Sequence, residues 1–172
     1  MKKRFGISGL GLVSMILIAV VLQACLDDEI DYAARERKER QMYREENNIT
    51  VEPTESGLYF ILQDSGYGDY AEMGDTVTIN YEGYLLDGSL LATNIEGVAI
   101  EYELYNPNET YEPYEFVMGT YQMLAGIEEA LTYMREGATA QLIIPSSLSA
   151  PGSYRSLMYY IYFLELAKSP EK

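Results

Sequence analysis

Cys25 is the only cysteine in the chain, and that fact decides how the fold has to be held together. No disulfide can form within the chain, so a stable domain must rest on an apolar core. Cys25 ends the stretch Leu22-Gln23-Ala24-Cys25, directly after an apolar run from Ile7 to Leu22, and Lys2, Lys3 and Arg4 precede that run. A basic start, an apolar stretch of moderate length and a small residue before the cleavage point spell a bacterial secretory signal. A cysteine as first mature residue makes it a lipoprotein signal, because its acylated thiol would hold the new N-terminus to a membrane. Buried acyl chains contribute roughly 0.8 kcal/mol per CH₂, which anchors a domain without a spanning helix. The apolar run is marginal in length for crossing a bilayer. Residues 1–24 are therefore expected to be a signal peptide. The rest is expected outside the cytoplasm, lipid-anchored at Cys25 to a bacterial membrane, on the periplasmic side or the surface of the outer membrane.

The 148 residues from Cys25 onward are enough for one domain with a real core and a tether. Losing residues 1–24 removes three basic residues and no acidic ones, leaving nine Lys and Arg against 27 Asp and Glu, a net charge of −18. Such a field repels nucleic acid and anionic lipid headgroups alike. The chain has no histidine, and its one thiol is assigned to lipid, so Ser-His and Cys-His catalysis and imidazole or thiolate metal sites are excluded. No cofactor or metal is expected. The aromatic content is weighted to tyrosine, with 17 Tyr, four Phe and no Trp. Tyrosine joins an apolar ring to a polar tip; most of the 17 are expected to fill strand positions, the rest to line contact surfaces.

Residues 25–52 read as a charged tether. Asp31 to Asn48 mixes Arg, Lys and Glu, with pairs such as Glu36–Arg40 at i,i+4, and shows no apolar stripe wide enough to pack on a core. Leu26-Asp27-Asp28-Glu29 also resembles the short acidic signal that exports some lipoproteins to the outer face of the outer membrane. The globular domain is expected over 53–170. Strands are expected at Gly57–Leu62, at Thr76–Tyr81 continuing through Leu86 to a turn at Asp87-Gly88, at Tyr114–Met118, at Ala140–Pro145 and at Met158–Leu166. Between them Leu124, Ile127, Leu131 and Met134 recur at helical spacing, with Gly137 placed as a stop. That face is expected to pack on Val77, Ile79, Leu142, Ile144 and Leu164. The sum is an α+β domain, a mostly antiparallel sheet wrapped around one short helix.

The order of motifs resembles an FKBP-type peptidyl-prolyl isomerase domain. The blocks that carry it are Gly74-Asp75-Thr76-Val77 through Tyr81, Gly83, Leu85 and Asp87-Gly88; Pro113-Tyr114 with Phe116 and Met118-Gly119; Gly126-Ile127 with Glu129-Ala130-Leu131, Met134 and Gly137; Leu142-Ile143-Ile144-Pro145; and Tyr162-Phe163-Leu164-Glu165-Leu166. Together they cover about residues 56–168. The resemblance implies catalysis without nucleophile, metal or base. An X-Pro bond turns slowly because rotation breaks amide resonance, and an apolar aromatic cleft favours the twisted amide over the planar one. It also implies a site. Tyr81, Tyr114 and Phe116 would form walls, Met123 and Leu124 would turn backbone to the ligand, Ile127 would be the floor, Tyr162 would close the last strand, and Leu91 would stand at the edge.

Two departures bear on activity. The family commonly carries an acidic residue where Ala92 stands, and a loop tyrosine after Pro145, where this chain has Ser147-Leu148-Ser149-Ala150-Pro151. Tyr154 is the nearest substitute. An acidic, Tyr-rich insertion at 93–112 lies beside the expected mouth. Three functions follow. One is a lipoprotein binding proline-containing segments of exported proteins, with isomerase activity weak or lost. Another is a fully active extracytoplasmic isomerase and folding chaperone. The third is a non-catalytic structural or surface-interaction lipoprotein.

Overall fold

The computed structural model describes residues 31–170; the expected signal sequence, Cys25 and the acidic triplet lie outside that range. The described elements run α1 (Tyr32–Glu46), β1 (Tyr59–Asp64), β2 (Tyr67–Tyr70), β3 (Thr76–Leu85), β4 (Leu90–Thr93), α2 (Glu96–Glu101), β5 (Tyr114–Val117), α3 (Ala125–Leu131), β6 (Arg135–Glu136), β7 (Thr139–Ile144) and β8 (Leu157–Ala167). All strand pairings are antiparallel. The main sheet has the order β1-β7-β8-β3-β4, with β5 also paired to β3, and β2 with β6 forms a small ribbon.

Strand parity divides this sheet into two faces. Directly paired residues point the same way. Val77, Ile79, Tyr81 and Gly83 of β3 therefore share a face with Phe163, Ile161 and Tyr159 of β8, and with Tyr114 and Phe116 of β5. Phe60, Ala140, Leu142 and Ile144 continue it across β1 and β7. Helix α3 packs on this concave face through Ile127, Ala130 and Leu131, all fully buried, and Met134 follows just beyond it. The opposite, convex face carries Asn80, Glu82, Tyr84, Tyr160 and Tyr162.

Several expectations need correction. The helix spans seven residues, ending at Leu131, and Leu124 caps it at the half-buried margin of the core. Gly137 does not stop that helix. It turns the chain between β6 and β7 at φ +79°, and a Cβ there would come within 2.8 Å of the Tyr67 ring. Leu164 is 36% exposed, and Phe163 fills the core in its place. The reason is a bulge: Thr78 pairs with Glu165 but Ile79 pairs with Phe163, so β8 carries one extra residue and its parity reverses upstream of that point.

The solvated stalk is likewise corrected for residues 32–46. Helix α1 docks on the convex face, and Tyr43 packs against a cluster of Tyr84, Leu90 and Met158. A single buried carboxylate does the joining. Glu36, 6% exposed, accepts hydrogen bonds from the Ser146 amide (2.7 Å), the Ser146 hydroxyl (2.7 Å) and the Ser156 hydroxyl (2.8 Å), with Arg40 at 3.2 Å. Arg40 also donates to Ser156 at 2.8 Å. Farther along, the Arg44 guanidinium lies 4.4 Å above the Tyr59 ring. Periodicity analysis of apolar residues has no means of seeing a helix held by a charge. No helix among the described residues is long and apolar enough to cross a membrane.

Candidate functional site

The concave face beyond α3 gathers most of the apolar side chains expected to form a site. Tyr81, Tyr114, Phe116 and Ile127 converge there, and Met123 and Leu124 pack against the same cluster. The Tyr114 and Phe116 rings stack with centroids 5.7 Å apart, which two residues on one strand manage because they share its face. The loop that carries Met123 is tied down from the helix side, where the buried Glu128 carboxylate accepts the Gly119 amide at 3.1 Å.

Two expected members are absent from this group. Tyr162 lies on the convex face, where its hydroxyl donates to Glu82 at 2.7 Å. Burial and that carboxylate both push its ionisation far upward. Motif matching alone puts Tyr162 in the cleft; the β8 bulge turns it away and brings Tyr159 and Ile161 onto the concave face instead. Leu91 is the second. It is the unpaired residue of a bulge between Gly83–Ala92 and Tyr84–Leu90 and is 47% exposed. Ala92, paired with Gly83, does border the concave face, with only a methyl group to offer.

Tyr159 is the residue that sequence reasoning missed. Its ring folds over Gly83, where any Cβ would sit 2.5 Å from Cζ, so only glycine admits the phenol at that depth. Its centroid is 6.3 Å from that of Tyr81. Burial raises the pKa of both phenols. The adjoining Tyr81 adds to this for Tyr159, and Tyr114 and Glu109 do so for Tyr81. Both are neutral hydrogen-bond donors at physiological pH. A Gly two residues after Tyr81, opposite an aromatic β8 residue, is the signal that could have found the pair.

Glu109 belongs to the insertion, so its influence on Tyr81 places that segment beside the site. Asn94 pins the insertion at both ends. Its Oδ1 accepts the Tyr81 amide at 2.8 Å, while its Nδ2 donates to the carbonyls of Ile79 and Glu112, each at 3.0 Å. The insertion tyrosines are spent on packing. Tyr105 stacks on Tyr111, whose hydroxyl accepts the Asn106 amide, and Tyr102 meets Tyr84 edge-on. Tyr154 stacks on Tyr32 of α1, so it does not replace a loop tyrosine at the cleft.

Two surface cavities flank α1, of about 610 and 430 Å³, and neither is lined by Tyr81, Tyr114, Phe116, Ile127 or Tyr159. Among the described residues no group of three or more His, Cys, Asp or Glu side chains is placed to hold a metal ion.

Comparison with known proteins agrees with this architecture. Residues 68–150 match the family model described as FKBP-type peptidyl-prolyl cis-trans isomerase. The short-type peptidyl-prolyl cis-trans isomerase of Methanocaldococcus jannaschii is 38% identical over 72 residues, 42% of this chain and 45% of that protein. The FKBP-type isomerase FkpA of Escherichia coli is 24% identical over 151 residues, 84% of this chain and 50% of that one. Its crystal structure superposes with a TM-score of 0.62 at 21% identity, covering 98% of this chain and 76% of that one, a likeness of fold. Residues 68–150 are thus similar to an FKBP-type peptidyl-prolyl isomerase domain, and the fold is FKBP-like, α+β with an antiparallel sheet. It spans about half the length of the curated relatives it matches.

Proposed function

We propose that this chain is a lipid-anchored extracytoplasmic protein whose FKBP-type domain holds proline-containing segments of exported polypeptides, with isomerase activity weak or lost. The observation that carries the reading is the composition of the concave site. The candidate walls Tyr81, Tyr114 and Phe116 share one apolar face, while Ala92 supplies no carboxylate and the loop after Pro145 supplies no tyrosine. Apolar walls are enough to bind a prolyl ring by burial. Each absent hydrogen bond removes about 1–3 kcal/mol of transition-state stabilisation where its partner stays buried, a factor of roughly ten to a hundred in rate. The anchor rests on the run before Cys25 and on that residue's position.

A prolyl isomerisation assay on the full-length protein in detergent, with several residues placed before proline, tests the reading. Peptide binding is expected together with a rate well below that of a complete family member. A rate equal to such a member favours the active chaperone, and no binding to any proline-containing peptide leaves a structural lipoprotein. Cys25→Ser is expected to leave an unprocessed precursor that takes up no labelled fatty acid; labelling that persists would refute the anchor.

A further inference from the structure

The segment flanking a prolyl residue presents the site with an unusual demand. The X-Pro bond has a carbonyl and no N–H, so a bound segment offers acceptors where the site must supply donors. The apolar walls of the concave face provide none from Phe116, Ile127 or Ile161. Three side chains on that face do carry a donor, Tyr81, Tyr114 and Tyr159, and none of the three hydroxyls makes a hydrogen bond to a described residue.

Tyr159 is the most deeply set of the three, only 7% exposed. Its ring is buried while the hydroxyl oxygen keeps contact with solvent, so the tip is open to a ligand. The sheet has been shaped around this phenol. Gly83 leaves the space in which the phenol lies, its ideal Cβ position being 2.8 Å from the hydroxyl oxygen. Ala92, paired with Gly83 on the other side of β3, is exposed and offers only a methyl group. The other tyrosines of β3 and β8 show the contrast, since Tyr84 and Tyr162 both give their hydroxyl protons to Glu82.

We propose that the Tyr159 hydroxyl is the donor that takes a peptide carbonyl of the bound prolyl segment, with Tyr81 as the adjoining wall. The assignment rests on the peptide-binding reading above. In this role Tyr159 orients the amide on the side of the site where Ala92 has no polar atom.

The test is a chemical double substitution on the full-length protein in detergent. A proline-containing peptide that binds the wild type is compared with its analogue in which sulfur replaces the carbonyl oxygen of the residue before proline, a weaker acceptor. The wild type is expected to bind the oxygen form roughly tenfold more tightly, the worth of one buried hydrogen bond. Tyr159→Phe is expected to lose about that factor for the oxygen form and to bind both forms alike, with its melting temperature unchanged or raised because no protein partner is orphaned. Tyr162→Phe, the same change on the convex face, should retain the wild-type preference. A Tyr159→Phe protein that still prefers the oxygen form overturns the assignment while leaving the binding reading intact. A wild type that binds neither form overturns the binding reading itself.

Discussion

The two faces of the sheet use tyrosine in opposite ways, although the same two strands supply both sets. On the convex face Tyr84 and Tyr162 converge on one carboxylate, Glu82, and α1 covers the neighbouring cluster of Tyr84, Leu90 and Met158. On the concave face Tyr81 and Tyr159 bury their rings beside Ile161 and Phe163 and leave their hydroxyls without a protein partner. A phenol whose tip is paired rigidifies the fold, and one whose tip is free beside an apolar surface is poised for a ligand. Residue type therefore says little about role in this protein; strand parity and the fate of the oxygen atom say much more.

The comparison can be broken most severely at the core beneath the concave face. Leu131 is fully buried between α3 and the sheet, so Leu131→Ala should cost about 2–5 kcal/mol in denaturant unfolding. A variant of unchanged stability would mean that α3 does not hold this face. On the convex side, Glu36→Ala leaves the Ser146 amide and hydroxyl without their acceptor and should cost about 1–3 kcal/mol. It should also expose α1 to proteolysis while sparing peptide binding. Loss of binding in that variant would show that the two faces are coupled.

Glu36 also gives the docking of α1 a pH dependence. Burial alone would raise its pKa, but the Ser146 and Ser156 hydrogen bonds and the Arg40 charge outweigh it, and the net shift is downward from 4.5. A carboxyl with a lowered folded pKa stabilises fully above its unfolded value, and that contribution fades as pH falls through the folded value. The gap in melting temperature between wild type and Glu36→Gln should hold steady from neutral pH to about pH 5 and close below 4.5. A gap independent of pH would sink the carboxylate's role. The smallest effect is expected from Tyr162→Phe, which removes one of two phenols from Glu82 and should cost about 1 kcal/mol with peptide affinity unchanged.

The family resemblance named Tyr81, Tyr114 and Phe116, and they share one face because they alternate along strands that the sequence marks clearly. Thr76-Val77-Thr78-Ile79-Asn80-Tyr81 announces both the strand and the side on which Tyr81 must lie, and Tyr114 with Phe116 repeats the pattern. Tyr162 went astray for a definite reason. Counting by twos along β8 is valid only in the absence of a bulge, and one inserted residue near Leu164 reverses every assignment upstream of it. Leu91 failed by the same mechanism on β4. The tether reading failed differently. It asked whether 32–46 had an apolar face, whereas α1 docks through Glu36, Arg40 and Tyr43.

What the sequence determined by itself is the periodic part of this protein. Alternation and helical spacing fixed the strands, the short helix and the α+β class, because burying a face is a local demand written into consecutive residues. Only the tertiary structure decided which oxygen atoms are paired. A bulge, a glycine that admits a ring, and a glutamate reaching 110 residues along the chain to Ser146 are set by register and distance between strands, which no local pattern encodes.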